Sequence, residues 1–98
     1  MTSADHEIEF RWKEEVYYWE GTRGCRFDGG WGVTPLVTYV PTAEKWPSVA
    51  PDWAVERRDL ILRRLLDHGP SHRVEETDHY PYAIGVTRDG DGAVAPAP

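Results

Sequence analysis

This chain of 98 residues has one cysteine, one methionine and two phenylalanines, and its scarcities narrow what it can be. A lone Cys25 cannot close an internal disulfide, so burial and polar contacts must hold the fold, and a reducing cytoplasm is the expected location. No apolar run reaches membrane-spanning length, and residues 1–7 are acidic where a secretory leader would be basic and then apolar. No membrane partner is expected. Positive charge is also in deficit: at a net charge of −6 most of the surface repels a phosphate backbone, which argues against a nucleic-acid partner and for a neutral or basic one.

Aromatic side chains are abundant by contrast, with five tryptophans and five tyrosines. Each such ring is apolar but carries a polar atom that seeks a partner, so a core made from them should reach the rim of the fold or an interface. The length suits one modest core. Residues 1–87 are expected to form a single globular domain. Residues 88–98, with Asp-Gly repeats and then alternating Ala and Pro, are expected to form a disordered tail, because they offer too little apolar area to offset chain entropy.

Ile8, Phe10 and Trp12 alternate with charged neighbours, the two-residue period of a strand with one buried face. After Glu14 and Glu15, the run Val16, Tyr17, Tyr18, Trp19 predicts either a bulged continuation or a second strand. Gly21 and Gly24 supply a hairpin connection to a returning strand at 25–28. Residues 29–32 (Gly-Gly-Trp-Gly) offer little to a regular ladder, and 36–40 reads as another strand. Three prolines bracket 42–50, predicting an irregular or short 3₁₀ segment pinned by Trp46.

The helix prediction covers 51–68, with Pro51 and Asp52 suited to its start and Gly69-Pro70 to its end. Ala54, Val55, Ile61, Leu62, Leu65 and Leu66 project onto one arc, opposite Glu56, Asp59, Arg63 and Asp67. Beyond it, 72–77 is expected as a charged edge strand and 80–86 as a weaker one. The fold class is therefore α+β, a small mainly antiparallel sheet of four to five strands with one amphipathic helix packed on one face.

No catalytic grouping emerges, so no catalytic residue is assigned. Cys25 lacks the adjacent base that activates a nucleophile and reads as a small buried hydrophobe. The histidines lack metal-ligand spacing, since Gly69 and Pro70 break the register between His68 and His72, so neither metal nor cofactor is expected. Adjacent Glu14 and Glu15, or Glu75 and Glu76, point to opposite strand faces and cannot work as an acid/base couple. Asp28, Gly29, Gly30, Trp31 and Gly32 read as a tight turn or bulge, with a ligand loop as the alternative.

Arg58 projects into the apolar arc, where it must snorkel or meet an acid such as Asp28 or Glu20. Trp53 and Leu60 lie on a stripe outside the arc, flanked by Arg57 and Arg64, a mixture typical of interface anchors. The alternative for Trp53 is that it folds over the sheet edge near Trp46.

The order of features resembles small immunity proteins of bacterial polymorphic toxin systems. The corresponding pieces are Tyr18-Trp19-Glu20-Gly21-Thr22-Arg23, Val37-Thr38-Tyr39-Val40-Pro41 with Trp46, Arg57-Arg58 through Ile61 and Leu65, and Val74-Glu75. The chain is also similar to uncharacterised small bacterial proteins that share Asp28-Gly29-Gly30-Trp31-Gly32 and Pro51-Asp52-Trp53-Ala54. The first resemblance implies a non-enzymatic inhibitor that occludes a toxin domain. The reading is a binding module that contacts its partner through Trp53, Arg57, Leu60 and Arg64 or through acidic strand residues. Two alternatives stand beside it: a small-molecule or enzymatic domain using the 29–32 loop with Asp28 and Arg58, and a homo-oligomer joined by a sheet edge or the helix stripe.

Overall fold

The computed structural model describes residues 6–11, 14–30, 36–68, 72–80 and 82–97. Alternation at Ile8 and Phe10 gives strand β1 (Glu7–Arg11). The aromatic run after Glu14 is a second strand and not a bulge: β2 (Glu15–Glu20) folds back antiparallel, setting Trp19 opposite Glu7 and Glu15 opposite Arg11. Gly21 and Thr22 then connect it to β3 (Arg23–Gly30). Gly21 sits at φ 69, the left-handed conformation that so short a connection requires.

β3 outruns the expected 25–28 at both ends. Gly29 and Gly30, predicted to break the ladder, instead pair with Thr38 and Val37 of β4 (Leu36–Pro41). Gly24 shows why a residue without a side chain is needed inside a strand. A Cβ there would lie 2.4 Å from the Tyr18 carbonyl oxygen and 2.5 Å from Trp19 Cε3, too close for either to remain in place.

From β4 the chain passes through helix α1 (Trp46–Val49), a 3₁₀ segment (Asp52–Arg57) and helix α2 (Arg58–Leu66) to β5 (His72–Thr77). β5 is parallel to β4, and a parallel neighbour needs such a crossover. The expected single helix over 51–68 is thus a 3₁₀ segment followed by a shorter α-helix. The Trp46 indole N–H donates to the Ala54 carbonyl at 2.9 Å, where it competes for the acceptor that a regular α-helix would offer the Arg58 N–H.

The 80–86 expectation shifts to β6 (Gly85–Arg88), which pairs with the first half of β3, and β7 (Val94–Pro96) pairs with β6. Among the described residues the sheet therefore has seven strands in the order β1-β2-β3-β4-β5, with β6 and β7 branching from β3. The α+β class and mostly antiparallel pairing hold, but four to five strands was too few. Residues 89–97 also depart from the expected disordered tail. Asp89 accepts from the Asp91 and Ala93 amides, Arg11 donates to the Gly92 carbonyl at 2.9 Å, and Val94 packs on Tyr17 and Trp19. The segment is too polar to fold alone, and the exposed face of β2 supplies the apolar surface it lacks.

Strand alternation places two cores on opposite faces of the sheet. Tyr18, Phe27, Trp46, Ala54, Ile61 and Leu65 are buried between sheet and helices. Tyr17, Trp19 and Val86 are buried on the other side. The apolar arc of the helix is narrower than its projection suggests: Ile61 and Leu65 are fully buried, Leu62 is half-buried and Leu66 is 54% exposed.

Candidate functional site

The helical stripe and the tip of the β2–β3 hairpin meet at one carboxylate. Arg57 Nη2 lies 2.5 Å and Arg64 Nη1 3.4 Å from Glu20 Oε2, and Arg23 Nη2 lies 3.3 Å from Oε1. The Tyr18 hydroxyl donates to Glu20 at 2.5 Å and accepts from Arg64 at 2.7 Å. Above them, the Arg23 guanidinium carbon stands 4.5 Å from the centre of the Trp53 ring, a cation–π contact. Leu60, half-buried, falls within one helical turn of both Arg57 and Arg64.

Three of the four residues expected at an interface, Trp53, Arg57 and Arg64, are therefore brought together, with Leu60 alongside. Trp53 packs under Arg23 and against the core cluster that contains Trp46. Sequence reasoning missed Arg23 and Tyr18. It named Glu20, but as an acid for Arg58.

Glu20 is only 11% exposed. Burial pushes its carboxyl upward, yet the bonds from Tyr18 and Arg57 and the nearby guanidiniums outweigh it, leaving the pKa below the ordinary 4.5. The Tyr18 hydroxyl moves the other way, up to about 12, through burial and its bond to Glu20. The bond to Glu20 likewise raises the Arg57 guanidinium. Three arginines against one carboxylate leave surplus positive charge beside a half-buried indole. Such an arrangement can hold a carboxylate or a planar polar group by paired N–H donors while the ring supplies apolar contact.

Arg58 takes a different acid from those expected. It donates to Glu76 at 2.6 Å and to the Pro41 carbonyl at 3.0 Å, with its guanidinium 6.0 Å from the Trp46 ring centre. The reason is register: β5 lies next to the start of α2, whereas Asp28 is engaged on another part of the sheet. Asp28 accepts from the Tyr82 hydroxyl, and its amide donates to the Tyr80 hydroxyl at 2.9 Å. Tyr80 in turn donates to the Tyr39 carbonyl. Of the candidate ligand loop, Gly29 and Gly30 belong to β3, and Trp31 and Gly32 lie outside the described residues.

Shallow depressions occur on the surface of the described residues. One of about 260 Å³ includes Pro51, Asp52, Gly85 and Ala97 in its wall, and one of about 210 Å³ is bounded by Lys45, Asp78, His79 and Tyr80. Neither is lined by Cys25, Asp28 or Arg58. Cys25 is fully buried, and burial pushes its thiol well above the ordinary value, so it holds little thiolate at neutral pH. Among the described residues no group of His, Cys, Asp and Glu is arranged to hold a metal ion, and no helix is long and apolar enough to cross a membrane. In comparisons with protein families, curated proteins and solved structures, no family model, protein or fold matches this chain.

Proposed function

We propose that the chain is a non-enzymatic protein-binding module of the immunity type, which occludes its partner with the patch formed by Trp53, Arg57, Leu60 and Arg64. The observation that carries this reading is the Glu20 cluster. It fixes two long arginines and an indole in place before any partner arrives, and ordering such side chains in advance lowers the entropic cost of association. Trp and Arg are also the residues that most often dominate binding energy at interface centres.

Charge acts at two ranges. The net charge of −6 steers a basic partner towards the molecule over distances near the Debye length, and leaves a neutral one to arrive by diffusion alone. At contact, the surplus positive charge of Arg23, Arg57 and Arg64 favours a carboxylate or a carbonyl on that partner. The buried free thiol is compatible with a reducing cytoplasm, and no nucleic-acid, membrane or cofactor partner enters this reading.

Capture from the native host tests it. Tagged wild-type chain should retain a partner that the Leu60→Asp variant loses by at least about tenfold, equivalent to roughly 1.4 kcal/mol, with both proteins giving the same circular dichroism. Equal retention by both would contradict the assigned face.

A further inference from the structure

The outer edge of β5 has no strand beside it among the described residues. We propose that this edge pairs antiparallel with the same edge of a second copy, about a two-fold axis at Val74, to make a homodimer. This goes beyond the proposed partner face and does not depend on it.

The argument rests on backbone direction, register and charge. The Thr77 carbonyl accepts from the Thr42 amide at 3.0 Å, so Thr77 turns its backbone groups towards β4. N–H and C=O of one strand residue point to the same side and alternate along the chain. Glu75 and Arg73 therefore also face β4, and Val74 and Glu76 present their backbone groups to the outer edge. An antiparallel ladder sets outward residues opposite outward residues, so only registers that keep this parity can form.

Of the three registers centred near the middle of the strand, one satisfies the charges. Centring on Arg73 sets Arg opposite Arg, and centring on Glu75 sets Glu opposite Glu. Centring on Val74 sets each Arg73 opposite the other copy's Glu75, twice by symmetry, with the two Val74 residues exchanging both backbone bonds. The Arg73–Glu75 positions are then the non-hydrogen-bonded pairs, in which the Cα atoms come within about 4.5 Å and the side chains lie closer.

The faces agree as well. Val74 packs on the helix-side core and Glu76 bonds the helix residue Arg58, so alternation puts Arg73 and Glu75 together on the opposite face. Within one chain they already form a 2.6 Å ion pair with 56% and 44% side-chain exposure. A two-fold axis perpendicular to the sheet keeps that face common to both copies, so exchanging the pair between chains requires no change of side. An unprotected strand edge is otherwise a template for unspecific association, and a self-complementary charge pattern gives it a defined mate.

Sedimentation of the wild-type chain, Arg73→Glu, Glu75→Arg and the Arg73→Glu/Glu75→Arg double variant tests the proposal. The wild type should dimerise with concentration. Each single reversal converts two attractive pairs into two repulsive ones and should weaken the dimer about tenfold or more. The double variant should recover it. A wild type that stays monomeric at every concentration, a dimer indifferent to the single reversals, or a double variant no better than either single would each overturn it. The substitutions lie on the solvent-accessible β5 side chains Arg73 and Glu75, away from Trp53 and Leu60, so partner capture should persist in monomeric variants. Loss of dimer and loss of partner are thereby separately readable.

Discussion

Replacing Glu20 with Gln keeps the shape of the side chain but removes the charge that three guanidiniums and the Tyr18 hydroxyl converge on. Hydrogen bonds to charged groups contribute about 1.5–3 kcal/mol each, and the arginines left behind repel one another. Glu20→Gln should therefore cost about 2–3 kcal/mol at neutral pH, read by denaturant unfolding. Because the native carboxyl lies below its ordinary 4.5, the folded state holds fewer protons than the unfolded one through that range. The stabilisation is complete above the ordinary value and is lost as pH falls through the lowered native value. The difference between wild type and Glu20→Gln should shrink on acidification below 4.5; a difference that stays constant or grows would remove Glu20 from its assigned role. Part of this cluster was legible in the sequence, since Trp53, Arg57 and Arg64 stand outside the apolar arc. The carboxylate that gathers them was not, because Glu20 lies 37 residues from Arg57 and 44 from Arg64, and no local pattern links positions so far apart.

Among the elements, the β6–β7 hairpin gives the sharpest test of how far the sheet extends. Deleting residues 89–98 removes β7 and uncovers Trp19, which is fully buried under the hairpin with the Arg88 guanidinium 4.5 Å from its ring centre. The truncated chain should lose about 1.5–3 kcal/mol, the scale of burying one large apolar side chain, and its tryptophan emission should shift to the red. Unchanged stability and emission would mean that the last strand is ornamental. Strands β1, β2 and β5 and the hairpin at Gly21 follow from two-residue alternation and turn chemistry, which are local properties. Two features escaped for the same physical reason, dependence on a distant surface. β7 needs the face of Tyr17 and Trp19 to become a strand, and the start of the helix is 3₁₀ where the Trp46 indole reaches the Ala54 carbonyl. The extension of β3 through Gly29 and Gly30 likewise depends on β4 as a partner.

At the scale of the molecule, most arginines are neutralised internally. Ion pairs join Arg11 to Glu9, Arg26 to Glu15, Arg58 to Glu76, Arg73 to Glu75 and Arg88 to Glu7. Exposed acids such as Glu44, Asp52, Glu56, Asp59 and Asp67 form no ion pair among the described residues, nor does the exposed Arg63, whereas Arg23, Arg57 and Arg64 crowd around the single carboxylate of Glu20. In the proposed binding, the net charge of −6 attracts a basic partner at long range and the positive, Trp-bearing patch then docks it. A photo-crosslinking scan in the native host measures that geometry most directly. Crosslinkers at positions 23, 57 and 60 should join the chain to one and the same partner, while those at 44, 78 and 91 should not. Capture only from the second set, or from none of the six, would contradict the account.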